Sequence, residues 1–278
     1  MNSSSIERIQ VGESRDVALR LLKRDGVLVI DGLLAARMIA DLVSDLYRVQ
    51  GRIAHELGEK RLADSGEVGV IRAPAAYSTP FLSLLCHASL LQIAEGVVGD
   101  FCIAHLQNGF VLPTEEAQIR PSDTAFQGMW HRDFPRVVGE QTLSVNFFIP
   151  LTPFTENSGA TQFLVRSHQS HDSLEMHLRN GAIADAIANP GDVVIFDSTV
   201  WHRAGRNTSG HDRLAVNQQY TFPWLKQQID LCRLMGIDTV AQLPNLEKRI
   251  LGFHSRPPAS LDEFYATPNS RTYRAGQG

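Results

Sequence analysis

Cysteine is scarce in this chain: three in 278 residues, Cys86, Cys102 and Cys232. An odd number argues against a framework of paired disulfides, and three are too few for a four-thiolate zinc site. The expectation is a reducing compartment, the cytoplasm. Long hydrophobic runs are lacking too. The most apolar stretch, Phe81 to Val98, is broken by Ser83, His87, Ser89, Gln92 and Glu95, so it is not expected to span a membrane. The opening MNSSSIERIQVGESRD has no apolar segment of the secretory kind. Charge of one sign is missing as well. With 26 basic and 30 acidic residues, the net charge is −4. No basic surplus exists to neutralise a phosphate backbone, so no nucleic acid and no membrane is expected as a partner. Repeats, a glycine-rich phosphate loop and a G-x-S-x-G elbow are also absent. His55-Glu56 starts like a zincin motif but has no second histidine at the required spacing.

Hydrophobic residues at 43% and charged residues at 20% describe an ordinary folded protein with a small-molecule partner; a homodimer is left open. The chain reads as one domain over 1–278. A helical part covers about 1–100, a strand-rich core about 101–222, and C-terminal helices 223–256 precede a polar tail. Helical spacing runs over Arg15 to Arg24 with Ser14 as cap, over Leu34 to Leu57, and from Thr79-Pro80 towards Gly96. Val27 to Ile30 is a short buried strand. From Cys102 onward, Ile103–Leu112, Leu143–Pro150, Thr161–Val165, Val193–Phe196 and Leu214–Thr221 are strand-length runs bounded by Gly, Pro, Asn or Asp. No helix alternates regularly between them, which argues against a parallel sheet. Short strands behind a helical start suit a double-stranded β-helix, a mainly-β jelly roll with flanking helices. Pro113–Gln127, long and polar, reads as a loop over an active site. Trp224–Leu234 and Leu246–Leu251 return to helix.

The chemistry concentrates in His131-Arg132-Asp133. On an extended segment residues i and i+2 share a face, so His131 and Asp133 present an imidazole and a carboxylate side by side, with Arg132 turned away. Alone, the pair reads as a surface or capping pair. A third ligand is available from His202, just past the turn and buried strand Pro190–Phe196. Two histidines and one carboxylate form the facial triad that holds non-haem Fe(II) and leaves positions open. Arg213 then opens the apolar run Leu214–Val216. A buried guanidinium is unfavourable unless a carboxylate meets it, and its planar fork grips one bidentately. Behind His202 it is placed to clamp the distal carboxylate of 2-oxoglutarate; alone it reads as a structural ion pair.

At this point the chain resembles the phytanoyl-CoA dioxygenase superfamily, and most of all its secondary-metabolite branch. Phe154–Thr161 (FTENSGAT) with Arg166-Ser167-His168 is similar to that branch's TEENGAT…PGSH signature. Pro190-Gly191-Asp192, Trp201-His202 and Asn207-Thr208-Ser209 up to Arg213 match its GD…WH…NTS…R block, and Trp224–Gln228 and Leu246–Phe253 resemble its C-terminal stretch. The resemblance spans Gly26 to Phe253. It implies an Fe(II)/2-oxoglutarate-dependent dioxygenase using dioxygen, with His131, Asp133 and His202 on the metal and Arg213 on the co-substrate. Gln127, Asn146 and Thr161 are the other expected co-substrate contacts, with Gln107 a weaker one. Val165-Arg166 departs from the usual Pro-Gly. Asp133 is retained where halogenating relatives carry a small residue, so halogenation is not expected. His168 is expected to be structural and Tyr220 to pack. Trp130, Phe134 and Pro135 should line the mouth, and one of Arg132, Arg136, Arg203 or Arg206 could meet a substrate anion. The competing readings are a zinc hydrolase using the same three ligands, and a catalytically inactive binding protein on the same scaffold.

Overall fold

The computed structural model describes residues 5–13, 15–114, 128–139, 141–268 and 270–271. Its core is a pair of facing sheets. The larger is built from β1 (Arg8–Gln10), β2 (Val27–Asp31), β3 (Val70–Arg72), β4 (Ile103–Leu112), β5 (Ser144–Pro150), β8 (Val193–Asp197) and β10 (Arg213–Thr221), in the order β1-β2-β8-β5-β10-β4-β3. The smaller contains β6 (Gln162–Leu164), β7 (Ile183–Asp185) and β9 (His202–Arg203), in the order β7-β6-β9. Apart from the parallel β1–β2 pair, the ladders are antiparallel. The result is the expected double-stranded β-helix, with three strands of its main sheet supplied from before residue 100.

The alternation of β10 explains how the sheet serves two purposes. All nine of its residues are buried. Leu214, Val216 and Tyr220 enter the core shared with the helices, while Ala215 enters the core between the sheets. The helices are α1 (Arg15–Asp25), α2 (Ala36–Leu57), α3 (Glu59–Asp64), α4 (Thr79–Leu85) and α5 (Ala88–Val98). Leu42, Leu46 and Val49 of α2, Phe81 and Leu84 of α4, and Leu90 and Ala94 of α5 join Val145, Phe147 and Ile149 of β5 beneath the main sheet. Phe148, Phe154, Phe163 and Phe196 fill the space between the sheets. Non-directional burial of this kind is the principal stabilising term.

The single helix expected from Thr79 breaks at Cys86-His87 into α4 and α5, bent by 43°. Side chains of the sheet hydrogen-bond to carbonyls along the last turn of α4. Gln107 Nε2 donates to Phe81 O (2.9 Å), Gln218 Nε2 to Leu84 O (3.2 Å) and the Tyr220 hydroxyl to Leu85 O (2.7 Å). This places Tyr220 in packing and takes Gln107 off the list of co-substrate contacts, because it points to the helical face. The helix expected over Trp224–Leu234 is confined to Leu231–Met235. The preceding segment docks on β4 instead, through Gln228 N to His105 O (3.0 Å) and Gln227 Nε2 to Ala104 O (2.7 Å). Ser14 lies outside the described residues. No single helix among the described residues is long and apolar enough to cross a membrane.

The turn after β6 keeps its geometry without glycine. Arg166 adopts φ +68°, and its Nε donates to Asp25 Oδ1 at 2.9 Å. His168 Nε2 lies 3.0 Å from Lys23 O, joining this turn to the end of α1. Opposite stands Gly26 at φ +77°, where a Cβ would come within 2.4 Å of His168 Nδ1 and 2.6 Å of Val200 Cγ2. Gly26→Ala therefore adds overlap to left-handed strain, and should lower unfolding stability by about 3 kcal/mol. Gly12→Ala is the comparison, with φ +99° and nothing within 4 Å; it should cost about 1–2 kcal/mol. Equal urea midpoints for the two variants would show that the His168 contact does not constrain the turn.

Candidate active site

Three short-range rules assemble the site. First, His131 and His202 form an isolated antiparallel bridge, each backbone N–H donating to the other's carbonyl at 3.0 Å. Facing residues of such a pair project their side chains to the same side, and the imidazole centroids stand 4.2 Å apart. Second, Asp133 lies two residues beyond His131 and shares its face. Its Oδ1 is 3.6 Å from His131 Nε2 and 3.7 Å from His202 Nε2. Third, each Nδ1 is engaged by a nearby carbonyl, His131 by Met129 O (2.8 Å) and His202 by Val200 O (3.0 Å). That bond fixes the tautomer and aims Nε2 inward, as at metal-ligating histidines.

One ligand atom from each of the three residues lies within 4.8 Å of the others. Ligands on one face of an octahedron with bonds of about 2.1 Å stand roughly 3 Å apart, so a small closure of the three side chains completes the geometry. His202 is buried between Phe163, 5.7 Å away and nearly parallel, and Phe196 at 4.8 Å. Burial drives its pKa down to about 4, against the opposing charge of Asp133. The neutral imidazole that binds metals is thus the form present at neutral pH.

The opposite wall belongs to the main sheet. His131, Asp133 and His202 line one cavity of about 100 Å³ together with Thr161, Phe148, Phe196, Asn108, Asn217 and Arg213. Arg213 is 2% exposed, and burial pushes its pKa down to about 9. Phe154 lies 4.8 Å and Phe148 5.8 Å from its guanidinium. Nη1 donates to Gly159 O, and Nε has no partner. No carboxylate among the described residues pairs with it. A buried guanidinium in this condition fits an incoming carboxylate, as the three inward donors opposite fit a divalent metal.

Residues 22–215 match the family described as Phytanoyl-CoA dioxygenase (PhyH). The chain belongs to the phytanoyl-CoA dioxygenase family. The Mycobacterium tuberculosis (strain ATCC 25618 / H37Rv) protein named "Uncharacterized protein Rv1501" is 39% identical over 272 residues, 98% of both chains. "Multifunctional dioxygenase ausE" of Penicillium brasilianum is 25% identical over 230 residues, 77% of this chain and 74% of that one. The epimerase SnoN, solved with Fe3+, alpha ketoglutarate and nogalamycin RO, shares the fold at a TM-score of 0.58 and 19% identity, covering 74% of this chain and 84% of that one.

Around this family site the expected residues divide. Thr161 is on the cavity wall. Asn146 is fully buried but is not among the lining residues; its Nδ2 donates to Ser198 Oγ (2.7 Å) in a knot with Gln219 and Ser144. Gln127 lies outside the described residues, as does the loop over Pro113–Gln127 beyond Thr114. Arg132 turns outward, bonding Ser167 O (2.8 Å) and resting 4.8 Å from the Trp201 ring. Arg203 lies 4.8 Å over the Trp130 ring and donates to Gln162 Oε1 (2.9 Å). Phe134 is half-buried, whereas Pro135, Arg136 and Arg206 are exposed. Asn108 and Asn217 were not expected. Asn217 could have been found by stepping from Arg213 in twos, whereas Asn108 required the β4–β10 register.

The depressed His202 pKa has a measurable consequence. In the unfolded chain this histidine protonates near 6.5. Between that pH and about 4 the unfolded state binds the extra proton, so metal-free protein should lose stability as pH falls through this window. Urea midpoints measured from pH 7 to 4.5 should fall less steeply for His202→Gln than for the wild type. Parallel curves would contradict a buried neutral His202.

Proposed function

We propose that this chain is a non-haem Fe(II)/2-oxoglutarate-dependent dioxygenase that oxidises an unactivated C–H bond of a small molecule, a secondary metabolite or an amino-acid-derived compound. The outcome is hydroxylation, or desaturation or rearrangement where the substrate's pose directs it. The observation that carries this reading is the pairing of an inward His131–Asp133–His202 set with a buried guanidinium lacking a carboxylate partner across one cavity. A zinc hydrolase uses the same ligands but gives Arg213 no task.

When Fe(II), 2-oxoglutarate and dioxygen are bound, the chemistry supplied is C–H oxidation coupled to conversion of the keto acid to succinate and carbon dioxide. His131 Nε2, an oxygen of Asp133 and His202 Nε2 would hold the metal. The carbonyls of Met129 and Val200 keep both imidazoles aimed at it. Arg213 would grip the distal carboxylate and so fix which way the co-substrate lies. Phe148 and Phe154 flank the guanidinium and exclude water from that contact, which strengthens it. Thr161 lines the same cavity. The protein's part is orientation and exclusion of wasteful reactions.

The test is succinate release from 2-oxoglutarate with Fe(II), with and without oxygen. Wild-type protein should release succinate only aerobically, and Asp133→Ala should release none while keeping its fold. Arg213→Met should leave the metal-free protein as stable or more so, by about 1–4 kcal/mol, because a buried unpaired charge is removed. The same variant should lose 2-oxoglutarate turnover. Zinc-supported activity without oxygen, or full turnover in Arg213→Met, would defeat the proposal.

A further inference from the structure

One rung of the main sheet crosses the cavity beyond the co-substrate end. Phe148 on β5, Asn217 on β10, Asn108 on β4 and Arg72 on β3 are successive partners in register, and all four line the cavity. Two of the polar members are already engaged. Arg72 meets Glu67 in a two-point contact at 2.7 and 2.6 Å, and its Nη1 donates to Gln228 Oε1 (3.1 Å). With its side-chain amide oriented to satisfy both ends, Asn108 accepts from Arg72 Nη1 (2.9 Å) and donates to Gln107 O (2.9 Å).

Asn217 differs. It is 8% exposed, its Oδ1 is buried without a hydrogen-bond partner, and its amide makes no hydrogen bond to any described residue. An unmet buried amide opposes folding, so a ligand group that satisfies it is favoured. Asn217 stands four positions beyond Arg213 on β10, about 13 Å between backbones, which sets it apart from the clamp proposed for the co-substrate's distal carboxylate.

We propose that Asn217 is a specificity-determining residue that receives an uncharged donor–acceptor group of the substrate, such as an amide, a lactam or an adjacent hydroxyl and carbonyl. An amide edge carries one donor and one acceptor side by side, and the complementary edge of a lactam meets both. A charged group is disfavoured here. Glu67 answers the Arg72 cation, and Arg132 and Arg203 are engaged away from this rung. Asp133 and Arg213 have the metal and the co-substrate as their proposed partners, and Phe110, Phe148 and Leu106 add apolar wall. The inference rests on the proposed oxygenase function and deepens it by naming a substrate class.

The test uses δ-valerolactam as probe, with valerate and piperidine as its anionic and cationic counterparts. Binding is read by ligand-observed NMR on Zn(II)-loaded protein saturated with 2-oxoglutarate, the zinc preventing turnover. Wild-type protein should bind the lactam in preference to both ions. Asn217→Leu should weaken lactam binding at least tenfold while 2-oxoglutarate affinity stays within twofold. Should that variant fold poorly, Asn217→Asp preserves the shape, and should lose the lactam and gain piperidine. Undiminished lactam binding in a folded variant, no lactam binding by the wild type, or preference for valerate would overturn the proposal. So would a parallel loss of 2-oxoglutarate affinity, which would assign Asn217 to the co-substrate. Failure of wild-type protein to bind 2-oxoglutarate in a metal-dependent way would instead strike the oxygenase reading itself.

Discussion

The two 3.0 Å backbone hydrogen bonds between His131 and His202 hold the rest of the site in place. They join segments about seventy residues apart at a single bridge, and the pleat of that bridge sets both imidazoles on one side. Asp133 follows from the same pleat two residues on. The remaining parts have meaning only relative to that point: the phenyl rings that keep His202 neutral, the carbonyls that hold each Nδ1, and the guanidinium on the facing sheet. Because the bridge is made of backbone, the convergence of the candidate ligands is specified by register more than by the chemistry of its neighbours.

The facing sheet carries the opposite kind of device. Arg213 is a charge placed where burial penalises it, with aromatic rings beside it and no described carboxylate to answer it. Such a placement opposes folding and favours a ligand, the usual trade between stability and function. Asn217 repeats the arrangement in milder form four residues along the same strand, as an amide instead of a cation. β10 thus presents two unmet polar groups to the cavity, one charged and one neutral, on the face opposite its apolar helix-facing residues.

Much of this was legible in the chain before any fold was known. The bounds of β4 follow from its Gly- and Pro-flanked run, and the triad from the i, i+2 rule together with a histidine after a buried strand. Parity is where single-residue reading failed. Gln107 and Asn108 are adjacent, and only the pairing of β4 with β10 decides which of them faces the cavity. Asn146 has the inward parity but sits in the rung with Gln219, where Ser198 takes up its Nδ2. The two-residue strand β9 has no periodicity to detect, since it is defined by its partners alone. The break at Cys86-His87 was hidden for the same reason: the groups that satisfy the end of α4 come from strands 20 to 140 residues further on.

The central claim is that His131, Asp133 and His202 converge on one ferrous ion, beside a guanidinium that holds the α-keto acid. An anaerobic titration with Fe(II) and 2-oxoglutarate tests it most directly, read by the visible charge-transfer absorption of a keto acid chelated to ferrous iron. The account predicts a saturable band with one iron per chain, absent in His202→Ala and Asp133→Ala. A band of undiminished intensity and affinity in either variant would contradict it.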